Sequence, residues 1–177
     1  MTTPSSRPTS CDVLVVGAGP AGSAAAAWAA RAGLDVVLAD AATFPRDKTC
    51  GDGLTPRAIG EMQKLGLEDW LRAHTVNHGL RAHGFGQTLL LPWPGGSLPD
   101  WGSAVARTEL DDHLRTVAIK SGALAIDDAR AVGVRRDGER VAAVEFRGSQ
   151  ARTSSCATSR ATWCPATAGS SRWATAR

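Results

Sequence analysis

The last 31 residues contain no Asp, Glu or Lys and no Val, Ile, Leu, Met or Phe. A segment so composed has too little apolar surface to build a core. The same segment holds five Arg, whereas residues 1–146 carry 15 Lys and Arg against 17 acids. The formal charge of +3 is therefore a property of the tail, and nucleic acid is excluded as a partner. Cys11, Cys50, Cys156 and Cys164 fall in neither a disulfide framework nor a zinc-ligand spacing, which predicts a reducing, cytoplasmic setting. Residues 1–10 are polar, hold two prolines and lack the apolar centre of a signal peptide, so they read as a disordered arm. No long apolar run is uninterrupted. Residues 13–30 come nearest, but Gly17, Gly19, Pro20 and Gly22 break them and much of the rest is alanine. That pattern predicts a buried strand and helix, not a membrane span. At 177 residues there is room for one core but not for a large two-domain enzyme.

What is present is concentrated near the start. Val13-Leu14-Val15-Val16 is a short β-branched run, expected as a parallel strand buried on both faces. It leads into Gly17-Ala18-Gly19-Pro20-Ala21-Gly22, an Ala-rich helix to Ala32, and a second strand at Asp35–Ala39 closed by Asp40. Gly17 permits a sharp turn, Gly19 allows a pyrophosphate to approach the backbone, and Gly22 lets the helix lie close to the strand. The helix that opens at Pro20 and Ala21 aims its N–H groups and positive dipole end at phosphate. Asp40, 18 residues past Gly22, suits an adenosine ribose, and an acid there favours a free 2′-hydroxyl. The motif predicts a dinucleotide but does not separate FAD from NAD. Trp28 lies far from the phosphate end and is expected to pack.

Residues 41–54 have no periodicity, and a loop of that length is usually functional or disordered. Gly51 and Gly53 flank Asp52 and leave the backbone free to approach a flat ligand. Thr55-Pro56 starts a helix with Ile59, Met62 and Leu65 on one face, ended by Gly66. A short amphipathic turn follows at Glu68–Ala73. Leu80–Phe85 and Thr88–Leu91 read as strands joined through Gly86-Gln87. Ser103–Arg107 is extended, and Thr108 caps a helix with Asp111 as the capping-box acid and Leu110, Leu114 and Val117 buried. Leu124–Ile126 is a strand, and Ala131–Val134 with Val141–Phe146 forms a hairpin. His74, His78, His83 and His113 read as surface or loop residues without metal-ligand grouping.

With these residues in view, the sequence resembles the geranylgeranyl reductase family of FAD-dependent oxidoreductases, most of all the bacterial members that reduce an isoprenyl double bond in menaquinone. Four segments carry the likeness: Val16–Ala25, Ala42–Lys48, Cys50–Ala58 and Gly102–Asp111. The middle pair belongs to this family rather than to Rossmann proteins at large. The resemblance covers residues 11–146. It implies an α/β, Rossmann-like FAD-binding domain of the glutathione-reductase type, incomplete, with a small β-hairpin and sheet insertion. It implies that Gly17, Gly19, Pro20, Ala21 and Gly22 hold the FAD pyrophosphate and Asp40 the ribose. Arg107 would reach the phosphate and ribityl region, with Arg46 contributing. Cys50, Gly51, Asp52 and Gly53 would lie beside the isoalloxazine, with Cys50 the candidate catalytic residue. The bland alternatives are an inert loop cysteine at 50 and a solvated charge at 46. The implied partners are FAD, NAD(P)H as donor and a lipid-like isoprenoid substrate, with peripheral membrane contact.

After Phe146 the sequence departs from that family. Another buried strand and an Asp-Gly element are due, and instead a Ser/Thr/Ala/Arg-rich run appears. Back-translated with G- or C-ending codons and read two bases along, Ala161–Ala168 can spell Asp-Leu-Val-Pro-Gly-Asp-Gly. Residues 147–177 are therefore read as an out-of-frame, disordered tail, the alternative being a natural Ser/Thr/Ala-rich one. The family's later Tyr- and Trp-containing substrate motif has no counterpart, since the chain has no tyrosine. Two other readings stay open: a non-catalytic remnant that binds nucleotide weakly or not at all, and an NAD(P)-dependent Rossmann enzyme.

Overall fold

The β-branched run at residues 13–16 and the alanine-rich run behind it form the first strand–helix pair. The computed structural model of the protein describes residues 10–148 and the backbone of residues 151–158. Its elements begin with β1 (Ser10–Cys11), β2 (Val13–Val16), α1 (Pro20–Arg31), β3 (Val36–Ala39) and β4 (Gly53–Leu54). Next come α2 (Pro56–Lys64), α3 (Glu68–Arg72), β5 (Thr75–Asn77), β6 (Gly79–Gly84), β7 (Gln87–Pro92) and β8 (Gly102–Ala104). Then follow α4 (Arg107–Lys120), β9 (Leu124–Ile126), β10 (Arg130–Asp137), β11 (Arg140–Gly148) and β12 (Ala151–Thr158). The segment read from sequence as one portion, 11–146, divides into two compact units: Met1–Thr43 with Ala118–Arg177, and Phe44–Val117.

In the first unit, β2, β3 and β9 make a parallel sheet in that order, with Val13 opposite Val36 and Val37 opposite Leu124. α1 lies against β2 and β3 through Ser23, Ala26 and Ala27, whose small side chains allow close approach. β3, the central strand, is buried throughout. β2 is not buried on both faces as expected: it is half-buried, and Val16 is 46% exposed. Among the described residues β2 is an edge strand of its sheet, which leaves that side uncovered. Trp28 is likewise not a packing residue. It is exposed on α1, with the Arg31 guanidinium 5.2 Å from its ring.

The second sheet has the order β1-β12-β11-β10, with β11 antiparallel to both neighbours and β1 parallel to β12. Cys11, Val37, Ala39, Ala129, Val141, Val144 and Phe146 form one buried cluster, joined by Leu14 and Ile126. Val37 and Ala39 alternate onto the same face of β3, the period-two arrangement of a strand. β12 falls within the segment that composition reads as a disordered tail. Strand pairing uses backbone N–H and C=O groups irrespective of side chain, and β11 offers an edge to them. Residues 1–9 of the arm and 159–177 of the tail, including Ala161–Ala168, lie outside the described residues.

In the second unit, β4, β8 and β5 form an antiparallel sheet, and β6 and β7 form a hairpin. Ile59, Met62, Leu65 and Leu71 are buried along α2 and α3, at the helical spacing read from the sequence. Thr55 precedes α2 as its N-cap residue but makes no side-chain cap. The hairpin turns at Phe85–Gly86, both at positive φ, one residue earlier than expected. α4 begins at Arg107, and the part of it in this unit buries Leu110 and Leu114, while Val117 is half-buried. The i, i+4 repeat, not an i+3 step, sets its inner face.

Candidate functional site

The residues expected at the site fall in two sets, and each lies within one unit. In the first, the chain leaves β2 and turns at Gly17, whose φ of 103° is open to glycine and strained for other residues. Gly17 N–H donates to Ala39 C=O at 2.7 Å, and Ala18 N–H donates to Asp40 Oδ2 at 2.7 Å. Ser23 Oγ donates to Ala18 C=O at 3.0 Å. A Cβ on Gly22 would stand 1.8 Å from Gly17 O, so the helix start closes onto the bend at contact distance. Gly19 is the N-cap of α1 and no side chain caps the helix, so its first N–H groups, Ala21 and Gly22 among them, point at whatever binds there.

Asp40 is 8% exposed, at the end of β3. Besides Ala18 it accepts the Ala42 N–H on Oδ1 at 2.8 Å. It thus braces the glycine bend, a task the sequence reading did not assign to it. A carboxylate can accept about four hydrogen bonds, so these two donors are compatible with a ribose hydroxyl.

The second set is built on the loop before β4 and on the start of α4. Asp111 is fully buried. Its Oδ1 accepts from Arg107 Nε at 2.6 Å and its Oδ2 from Arg107 Nη2 at 2.9 Å, a side-on bidentate pair. Arg46 Nη2 lies 3.2 Å from the same Oδ2. Asp111 is therefore no capping-box acid, and Arg46 is no solvated loop charge. Arg46 also stacks over Phe44 at 5.1 Å, as does Arg115. Asp111 raises the pKa of Arg107, which stays a cation at every working pH.

Asp52, at φ 55°, ties the loop to α4: its Oδ1 accepts the Arg107 N–H at 3.2 Å, and its C=O accepts the Val105 N–H at 3.1 Å. Cys50 is exposed. Hydrogen bonding from the backbone at Asp52, and then from the Arg107 side chain, draws its thiol below the ordinary value, which favours thiolate. Gly51 has no atom within 4 Å of where a Cβ would stand, leaving that backbone open, and Gly53 pairs with Ala104 in β4. The loop, Cys50, Arg46 and Arg107 thus come together, as the spacing alone could not establish. Asp111 was missed as a site residue, although the Arg–Asp spacing of four on a helix was its signal.

Two histidines read as loop or surface are part of a helix contact. Trp70 on α3 stacks on His113 of α4 with centroids 4.1 Å apart and planes 10° apart. His74 lies 2.8 Å from Trp70 C=O through Nδ1 and 2.9 Å from Glu109 Oε1 through Nε2. Both partners are acceptors, so only the doubly protonated ring satisfies both, and its pKa is raised.

In the first unit, an uncapped helix start above a glycine bend and an acid at the neighbouring strand end are features that suit a dinucleotide. The second unit, taken by itself, holds a pair of fixed guanidinium groups of the kind that suit an anion. Residues 10–166 match the FAD-binding domain family. The chain belongs to that family. The matched segment runs past Phe146 and across β12. The chain is 61% identical over 131 residues to a menaquinone reductase from Mycobacterium tuberculosis (strain ATCC 25618 / H37Rv). That alignment takes in 74% of this chain and 32% of the relative, so the chain spans about a third of the length of the curated protein it matches. A geranylgeranyl bacteriochlorophyll reductase-like protein from Thermoplasma acidophilum shares the fold with a TM-score of 0.72 and 27% identity, over 84% of this chain and 37% of that one. A myxobacterial FAD-dependent chondrochloren halogenase superposes with a TM-score of 0.78 at 23% identity, over 85% and 36%, a likeness of fold. The α/β, FAD-binding Rossmann-type class and the likeness to geranylgeranyl and menaquinone reductases, both expected from sequence, stand. No helix among the described residues is long and apolar enough to cross a membrane.

Proposed function

We propose that the chain is the N-terminal FAD-binding portion of an oxidoreductase that reduces an isoprenoid double bond, in menaquinone or a geranylgeranyl chain. The observation that carries this reading is the 61% identity with a menaquinone reductase. Gly17, Gly19, Pro20, Ala21 and Gly22 hold the pyrophosphate and Asp40 the adenosine ribose. Arg107 and Arg46 serve the phosphate and ribityl region, and Gly51 brings open backbone to the isoalloxazine end, with Asp52 and Gly53 beside it. Cys50 stands near the reacting alkene. When bound, FAD supplies hydride transfer from a reduced donor, here NAD(P)H, to an alkene carbon. The protein's share is to orient the two reactants and keep water out. A lipid-borne substrate places the work in the cytoplasm with peripheral contact to the membrane.

Titration with FAD, read by flavin fluorescence and challenged with ADP and with NADH, tests the cofactor. Saturable FAD binding displaced by ADP is expected. A preference for NADH overturns the reading in favour of a nicotinamide enzyme. The isoprenoid step is tested on a frame-repaired, full-length version given menaquinone and a reductant, with mass spectrometry of the isoprenyl chain. Gain of one molecule of hydrogen is expected, and an unchanged mass contradicts it. A non-catalytic remnant is the second reading, favoured by the composition of residues 147–177. One flavin per chain after gel filtration sinks it.

A further inference from the structure

We infer that Asp111 is a positioning residue: from its buried place on α4 it fixes the guanidinium groups of Arg46 and Arg107 together, so that the donors left on Arg107 meet the Cys50 thiol and the anionic part of a bound cofactor. The cofactor half of this inference rests on the FAD reading above, whereas the thiol half stands on the protein alone.

The geometry goes beyond charge balance. One guanidinium would suffice to neutralise one carboxylate, yet Asp111 receives two, one from the loop before β4 and one from its own helix. Contacts of 2.6, 2.9 and 3.2 Å share two oxygens of a side chain with no exposure. Removing both acceptors takes from each cation its contact with Asp111, and removing either cation leaves the other's contact in place. The bidentate pair engages the Nε/Nη2 edge of Arg107, which orients the plane of the fork as well as its position. Of five N–H donors on that side chain, two face Asp111, and Arg107 is among the groups that hold the Cys50 thiol below its ordinary value, after the backbone at Asp52. A fork held on one edge presents its other edge in a fixed direction, the arrangement that suits a phosphate.

The Asp52 contacts make the arrangement specific to this loop. The carboxylate of Asp52 accepts the backbone N–H of Arg107, so the residue that carries Cys50 two positions earlier is tied to the same helix turn. Asp111 thereby sets Arg107 relative to Cys50 from behind, without touching the thiol.

The test reads the pH midpoint of Cys50 alkylation by iodoacetamide, peptide by peptide, in the full chain, with circular dichroism to confirm folding. Asp111→Leu removes every acceptor. If Asp111 positions Arg107, the thiol loses its partner and the midpoint rises toward that of free cysteine. If Asp111 acted only as a nearby negative charge, its loss would lower the midpoint, so a fall or no change overturns the inference. Asp111→Asn keeps an acceptor oxygen and is expected at or below the native midpoint. Should Asp111→Leu fail to fold, Asp111→Ser, whose short side chain does not span to the Arg107 fork, decides by the same readout: a rise of the midpoint supports the inference, and a fall or no change overturns it. FAD titration reads the cofactor half: Asp111→Leu and Arg107→Gln should each weaken binding about tenfold, with no further loss in the double variant. Losses that multiply overturn that half. A native chain that binds no FAD defeats the function proposed above, while the thiol midpoints still judge Asp111.

Discussion

The backbone N–H of Ala18 donates to the carboxylate of Asp40, 22 residues along the chain, at 2.7 Å. The acid expected to hold a ribose therefore also holds the glycine bend, and the two tasks share one side chain. Asp40→Ala leaves the Ala18 and Ala42 N–H groups without these partners. We expect a loss of about 1–3 kcal/mol in urea unfolding. Asp40→Asn, which keeps one acceptor oxygen, should fall between. An Asp40→Ala chain as stable as the native one contradicts the bracing role.

Two glycines give opposite expectations. Gly22→Ala puts a Cβ 1.8 Å from Gly17 O, a backbone atom that cannot swing aside. It should destabilise the chain by about 3 kcal/mol. Gly51→Ala meets nothing within 4 Å and has no positive φ, so unfolding should be unchanged. FAD binding should nonetheless weaken, because the methyl group stands where the ligand approaches. Unaltered binding in Gly51→Ala removes this loop from the proposed contact.

Much of this was legible in the sequence, and the reasons differ by element. The strand–bend–helix at Val13–Arg31 and the strand ended by Asp40 followed from β-branched runs, glycine spacing and alanine content, which are local signals. The positions of Ile59, Met62, Leu65, Leu110 and Leu114 followed from helical spacing. Asp111 did not, because a capping box and an i, i+4 ion pair read alike until the helix is seen to begin at Arg107. Trp28 was misjudged because which face of an alanine helix is buried is set by the sheet, not by the helix. β12 escaped notice since backbone pairing leaves no mark on composition. His74 and His113 sit in a contact between helices distant in sequence, and no spacing announces it.

That contact carries a pH dependence. His74 is raised above its ordinary value of 6.5 first by Trp70 C=O and then by Glu109. A histidine with a raised folded pKa contributes stability that is full below the unfolded value and is lost as pH rises through the folded one. His74→Ala should therefore cost most at pH values below 6.5, and the part of that cost owed to the charge should vanish well above the raised value. The difference will be small, since the ring and Glu109 are partly screened by water. Chemical denaturation across that range checks it. A difference that grows with pH has the wrong sign.

Cys50 should react as a depressed thiol. Hydrogen bonds from the Asp52 backbone and the Arg107 side chain lower it, so alkylation should reach half its maximum rate at a lower pH than free cysteine does. Arg107→Gln should move that profile upward. Cys11, buried in the first unit, should stay unmodified until the chain unfolds. A Cys50 profile matching free cysteine contradicts the contact with Arg107.

The account turns on an adenine dinucleotide seated at the bend between β2 and α1. Flavin fluorescence, titrated against the native chain and against Gly19→Val, addresses it most directly. We predict a saturable curve for the native chain and no saturation for Gly19→Val, with both circular dichroism spectra alike. Superimposable binding curves, or a flat response from the native chain, would contradict it.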